Sequence, residues 1–280
     1  MSFLSAVAIA ERRIGKRGEG IYSGRSKVVL ERNWIQFKTS AWIVVASGFI
    51  EPLLNLIVFG YGVGNFIGDI KLDNGLIVSY AAFVVPGLLA SAAMMGAILD
   101  ATWNVFFKIH ESRLYHAMLA TSLGPMDVAL GEITWALLRG SLYSTAFMAV
   151  VAPLGLIESW WGLFAIPAGA LIGFGFAALG MALTSYMTSF QHMGLISIVL
   201  LPFTLFSGSF FPLSVLPNWL ANIVYWTPLT QGIEMMRMLT LGTVDSSIFI
   251  HIGYFTIFIA GGLYFTTRRL SNIFSKQSSI

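Results

Sequence analysis

Few side chains in this chain could do chemistry, and most of those that could lie inside apolar runs. Glu51, Glu132 and Arg139 each fall within a stretch long enough to cross a bilayer. An ionisable group there is costly, so it marks an ion pair or a path for something polar. Glu132 and Arg139 are seven residues apart, two helical turns, and share a face. Paired buried charge is far cheaper than isolated charge. This favours Arg139 bonding Glu51 or Glu132 and gluing helices together; contact with a polar head group is the competing role.

Other chemistries are excluded by motif. A phosphate cradle needs a glycine-rich loop ending in Gly-Lys-Ser/Thr, whereas Gly15-Lys16 is followed by Arg17 and lacks the upstream glycine. Gly60, Gly62 and Gly64 follow an apolar run rather than opening a βαβ unit, which suits a helix exit and close packing. His110 and His116 are six apart, a poor spacing for two ligands on one helical face, so no metal site is expected. Cysteine is absent, which removes disulfides, thiol catalysis and zinc–thiolate sites. No Ser/His/Asp grouping emerges, so the chain reads as a non-enzyme with no cofactor of its own.

The elements that must position these charges are membrane spans. Of 280 residues, 56% are hydrophobic and only 10% charged, with a mean hydropathy of +0.78. Soluble domains carry about 25% charged residues, whereas ~20 apolar residues in a helix cross a hydrocarbon core. Six runs qualify, at about 41–61, 77–99, 128–151, 163–187, 193–211 and 248–267. The fold class is therefore an all-α polytopic membrane protein. It comprises an N-terminal segment (1–40), a six-span domain (41–267) and a tail (268–280).

Thirteen of the sixteen Lys and Arg fall on one side of these spans, leaving Lys71 and Arg237 opposite and Arg139 within. Basic residues are retained in the cytoplasm, so both termini face inward across a plasma (inner) membrane. The net charge of +3 then reflects topology, and no nucleic-acid partner is implied. Met1–Ala10 is apolar but its basic residues follow it, the reverse of a signal peptide. It reads as an interfacial or loosely ordered tail.

Leu30, Trp34, Phe37 and Ala41 recur at helical spacing, with Lys27, Glu31, Arg32 and Lys38 largely off that line. Such an amphipathic helix suits the membrane surface. The Asp100–Asp127 segment is the largest cytoplasmic insertion. Phe106, Phe107, Lys108, His110, Glu111, Arg113, Tyr115 and His116 form its helical part up to Leu119, before Gly124-Pro125 breaks it. This charged, aromatic helix is expected to dock a soluble partner. Phe211–Val244, outside, is too apolar for an exposed loop and is broken by Pro212, Pro217 and Pro228. It reads as re-entrant helices, which need cover from protein or a water-filled cavity. A seventh span would put Arg268 and Arg269 outside and break the charge asymmetry. Gly169, Gly173 and Gly180, with Ala177, give the fourth span a small-residue packing face.

Four segments, taken in order, carry a resemblance. They are Glu51-Pro52-Leu53-Leu54 with Phe59-Gly60-Tyr61-Gly62-Val63-Gly64, and Tyr80 to Leu88 with its Pro86-Gly87. Next come Tyr115 to Leu123 with Asp127 to Glu132, and then Phe206-Ser207-Gly208-Ser209-Phe210-Phe211-Pro212-Leu213 with Pro217, Pro228-Leu229 and Arg237. From about Lys27 to Arg269 the chain resembles the permease subunit of type-2 ATP-binding-cassette exporters, in the NodJ-like branch of drug and lipo-oligosaccharide exporters. It departs at Ser122, where many relatives have proline.

The resemblance implies a homodimer paired with two copies of a separate ATP-binding subunit, which would carry ATP and Mg. It also implies that about Val105–Leu119 is the coupling helix, inserted in a groove on that subunit. The amphipathic helix would supply a second contact. The external helices, with Phe211, Pro212, Pro217, Pro228, Glu234 and Arg237, would close the path. The expected cargo is an amphiphile such as a glycolipid, lipo-oligosaccharide or lipophilic drug, held around spans one, two and five. The alternative, an ion-gradient-driven transporter or channel working without an ATPase, should carry more intramembrane carboxylates arranged as a relay.

Overall fold

The computed structural model describes residues 22–39, 50–72, 75–112 and 114–275. Helices dominate. They are α1 (Ser26–Lys38), α2 (Ile50–Ile67), α3 (Tyr80–His110), α4 (Leu114–Leu119) and α5 (Pro125–Val151). Then follow α6 (Ala165–Tyr186, entered by a 3-10 turn at Trp160–Phe164), α7 (Gln191–Phe206), α8 (Asn218–Tyr225), α9 (Pro228–Leu241) and α10 (Ile248–Ser275). A two-stranded antiparallel hairpin, β1 (Asp69–Lys71) and β2 (Ile77–Ser79), joins α2 to α3 and pairs Ile70 with Val78.

α3 is the central post. From Tyr80 to Ile98 nearly every residue is buried, because α5, α6 and α9 cover it on several sides. A helix apolar all round must be covered by protein or by lipid, and for α3 it is protein that covers it. Small residues set the spacing. A Cβ on Gly140 of α5 would lie 2.5 Å from the Ala93 carbonyl oxygen, and one on Gly169 would lie 2.7 Å from Ser144 Oγ. A Cβ on Gly180 would lie 3.1 Å from Ala101 Cβ. The small-residue face expected on the fourth span is thus an inter-helix contact. α2 and α7 are held differently. α7 buries only Met193, Ile196 and Leu200, and α2 buries Leu56 and Gly60 in its described π-helical part.

The element limits differ from the expected spans in physically informative ways. Residues 40–49, most of the first half of span one, lie outside the described residues, and α2 continues past Tyr61 to Ile67. Span two does not stop at Leu99. α3 runs on through a π-helical stretch, Asp100–Asn104, to His110, because Asp100 is paired rather than solvated. The coupling segment expected as one helix is therefore two pieces, the last turns of α3 and the separate α4, with a turn at Glu111–Ser112. α7 ends at Phe206, not 211, and α10 runs beyond 267 through most of the expected tail to Ser275. By length and composition four described helical stretches could cross a membrane: Ile50–Ile67, Tyr80–His110, Trp160–Tyr186 and Ile248–Asn272. α5 is 27 residues long but carries Asp127, Glu132 and Arg139, and α7 has only 16 residues.

α1 rests on α5. Its buried positions are Val29 and Asn33, which face α5, while Trp34 is half exposed and Ala41 lies outside the described residues. A Cβ on Gly131 would come within 2.5 Å of Val29 Cβ, so α1 lies directly on α5. Asp127 fixes that approach. Its carboxylate accepts from the backbone N–H groups of Ser23 and Arg25 at 2.7 Å and of Gly124 at 2.9 Å. One side chain thereby caps α5 and clamps the irregular segment leading into α1.

Across the bundle, the Ser207–Phe211 turn lies on α3. A Cβ on Gly87 would sit 2.8 Å from both Cα and Cβ of Ser209. Gly87→Ala is therefore expected to lower stability by about 1–3 kcal/mol through overpacking. Gly194→Ala, where the added methyl meets nothing within 4 Å, should be neutral or slightly stabilising. Thermal unfolding of the detergent-solubilised protein checks both.

Candidate functional site

Three polar places interrupt the apolar interior. At the end of the bundle carrying α1 and α4, Lys108 Nζ from α3 donates to Glu132 Oε2 of α5 at 2.6 Å and to Asn33 Oδ1 of α1 at 3.2 Å. Asn33 Nδ2 donates to the same Glu132 oxygen at 3.1 Å, closing a triangle that joins three helices. The Glu132 side chain is 1% exposed and that of Lys108 12%, so the pair is effectively internal. Tyr115 from α4 is fully buried beside it. Burial, reinforced by the negative charges of Glu132 and Asp100, pushes the Tyr115 phenol well above its ordinary pKa. It therefore stays neutral at any physiological pH.

Two turns along α5, Arg139 forms an ion pair with Asp100, and its Nη2 donates to the Tyr143 hydroxyl at 3.2 Å. Asp100 also accepts from Asn104 within the π-helical stretch. Arg139 was expected to bond Glu51 or Glu132. It bonds neither, because α3 continues far enough to bring Asp100 alongside α5.

The second place is a cavity of about 560 Å³ bounded by α2, α3, α5 and α7. Phe59, Leu88 and Leu201 contribute to an apolar wall, while Glu51, Arg139 and Tyr143 form its charged and polar patch. Glu51 is exposed and makes no ion pair among the described residues. Glu51 and Arg139 are thus brought to one hollow without being bonded to each other.

The third lies at the opposite end. Arg237 of α9 pairs with Glu234, donates from Nη2 to the Gly208 carbonyl at 2.8 Å and stacks 4.5 Å above the Phe83 ring. Gly208 has φ +79°, a conformation that favours glycine, and it turns that carbonyl toward Arg237. Tyr80 OH donates to the Phe210 carbonyl at 2.9 Å and Thr230 Oγ1 to that of Ser207 at 3.1 Å. Gln231 Nε2 donates to the Tyr225 carbonyl at 2.6 Å, and its Oε1 lies 2.7 Å from His251 Nδ1. The short α8–α9 unit is thereby tied to α3 and α10. A hollow of about 450 Å³ beside it is lined by Pro212, Asn222, Tyr225, Glu234 and Arg237.

The expected docking residues separate into two groups. Phe106, Lys108 and Tyr115 face inward, as internal struts. Phe107, His110 and Glu111 are exposed at the tip, where His110 Nε2 lies 2.9 Å from the Met187 carbonyl. Arg113 and the side chain of His116 lie outside the described residues. Of the expected gate residues, Phe211, Pro212, Pro228 and Glu234 are half buried, Arg237 is buried and Pro217 is exposed. Among the described residues no group of three His, Asp or Glu is placed to hold a metal ion.

Reasoning from sequence missed Asp100, Asn33 and Asp127. For Asp100 a signal existed: no Gly or Pro separates Leu99 from His110, so helix could continue through it. Lys108→Met alone strands Glu132 in the interior and is expected to cost about 3–5 kcal/mol. Adding Glu132→Leu should restore most of that loss, as read by unfolding midpoints of the two variants.

Comparison with known proteins bears on this arrangement. The family model described as ABC-2 type transporter matches residues 25–241. Nodulation protein J of Rhizobium leguminosarum bv. viciae is 32% identical over 232 residues, covering 82% of this chain and 88% of that protein. Its counterpart from Rhizobium leguminosarum bv. trifolii is 31% identical over 243 residues, covering 86% and 91%. The inner membrane transport permease YadH of Escherichia coli K12 is 27% identical over 235 residues, covering 81% and 84%. The match spans α1, the inner struts, the cavity walls and the Arg237 rim alike, and the chain belongs to the ABC-2 type transporter family as a membrane-embedded transport permease.

Proposed function

We propose that this permease is the conduit of an ATP-driven exporter for amphiphiles, with two copies of the chain served by two copies of a separate ATP-binding subunit. Both termini face the cytoplasm, and six helices span the membrane, α5 and α7 being the two that length or composition alone does not mark. The observation that supports the cargo class is the cavity bounded by α2, α3, α5 and α7. An apolar wall with one charged patch matches a molecule with a lipid tail and a polar head, such as a glycolipid, lipo-oligosaccharide or lipophilic drug.

The route for force follows from the struts. A push at the exposed tip, on Phe107, His110 and Glu111, would reach the spans through continuous helix, since α3 is unbroken from His110 to Tyr80. It would reach α1 and α5 through the Lys108–Glu132–Asn33 triangle. α2 and α7, which bury few residues, are the elements that can separate to admit cargo. At the far end, α8 and α9 would form the exit gate. A motor that favours one access state must supply a few kcal/mol of differential binding.

The gradient-driven alternative needs a chain of titratable carboxylates. Asp100 and Glu132 are each locked in an ion pair, which leaves Glu51 alone facing the cavity and favours the motor-driven reading. Two outcomes test it. Glu111→Arg, at an exposed tip position, should abolish co-purification with the ATP-binding subunit while leaving the unfolding midpoint unchanged; Phe106→Ala, in the buried group, should lower that midpoint. In proteoliposomes, fluorescent-lipid movement should require both chains and ATP. Movement by this chain alone under a proton gradient would overturn the proposal.

A further inference from the structure

A separate hollow of about 510 Å³ lies between α1, the last turns of α3 and α5. Three cations, Arg32, Lys108 and Arg139, line it together with the amides of Asn33, Gln36 and Asn104. No carboxylate is among its lining residues. Glu132 and Asp100 neutralise Lys108 and Arg139 without lining the hollow, while Arg32 makes no ion pair among the described residues. Arg32 donates instead to Asn33 Oδ1 at 3.2 Å. Arg139 Nε is buried without an acceptor. A pocket with donors on several sides and an excess positive charge is built for an anion with several acceptor oxygens.

Its depth in the membrane is marked by aromatic rings. Trp34, Phe37 and Trp135 cluster at the rim with centroids 5.5–6.3 Å apart. Lys38 Nζ lies 5.6 Å from the Trp34 ring centre. Trp-rich clusters of this kind sit at the level of lipid head groups, and basic pockets beside spanning helices bind anionic ones.

We propose that this hollow binds a phosphate group, and that its occupant is the head group of an anionic phospholipid wedged between α1 and the end of α3. The bound phosphate would supply the anionic partner that Arg32 lacks among the described residues, and would join α1 to α3 through a ligand as well as through Asn33. This needs only that the chain lies in a membrane and is independent of the cargo and motor proposed above.

The test uses the full chain, purified in mild detergent, stripped of lipid and offered an equimolar mixture of phosphatidylglycerol and phosphatidylcholine. Native mass spectrometry then counts retained lipid. The expected result is preferential retention of phosphatidylglycerol. Arg32→Gln should reduce it about fivefold, the effect of one basic residue at an anionic lipid surface. Gln36→Glu, an exposed position, should reduce it at least as much by repulsion, and Lys71→Gln on the hairpin should leave it unchanged. Excess inorganic phosphate is the second arm. Thermal stabilisation by phosphate that Arg32→Gln removes, without any lipid preference, would assign the site to a soluble phosphate. Equal retention of both lipids with no effect of phosphate overturns the proposal, as does a preference indifferent to Arg32→Gln and Gln36→Glu in folded protein.

Discussion

Charge inside an apolar bundle must be answered by charge, and in this permease two such answers join the same pair of helices. Lys108–Glu132 and Asp100–Arg139 both link α3 to α5. Breaking either would strand an ion where water cannot reach it, so the two helices behave as one body. α6 is packed against this body through its glycine face, and α1 is fastened to it by Asn33 and the Asp127 clamp. What is left outside the body, α2 and α7, borders the largest of the hollows described here. Rigidity and looseness are thus distributed by where the polar bonds fall.

The segments that carried the family resemblance turn out to be partners in space. Gly87 leaves room for Ser209, Phe83 supplies the ring under Arg237, and Arg237 holds the Gly208 carbonyl. Four separate stretches of sequence therefore describe fewer independent features than they suggest, because each half of a contact constrains the other. The Tyr115 and Asp127–Glu132 segments do the same at the opposite end, around the Glu132 carboxylate and the approach to α1.

Membrane insertion and family were legible in the sequence because each rests on many residues at once, so a few misjudged positions change neither. Pairings were not. Arg139 and Asp100 are 39 residues apart, and no periodicity relates two helices that meet only in the fold. Asp100 itself looked like the end of a span, since a charge after twenty apolar residues usually marks the water boundary. Helix propensity continues through it, and the partner on α5 removes the reason to stop. The side by which α1 meets α5 was hidden for a related reason. Position 33 is polar in the sequence yet buried in the fold, because Lys108 and Glu132 satisfy its amide.

The brevity of α7 has a mechanical consequence for the surrounding lipid. Sixteen residues of helix extend about 24 Å, against a hydrocarbon layer of about 30 Å. With α7 spanning as proposed, the bilayer would thin to match it, at a fraction of a kcal/mol per ångström. That thinning would fall beside the cavity that α7 helps to wall. A thinned leaflet there would bring polar head groups closer to the mid-plane and shorten the distance any head group must travel through oil.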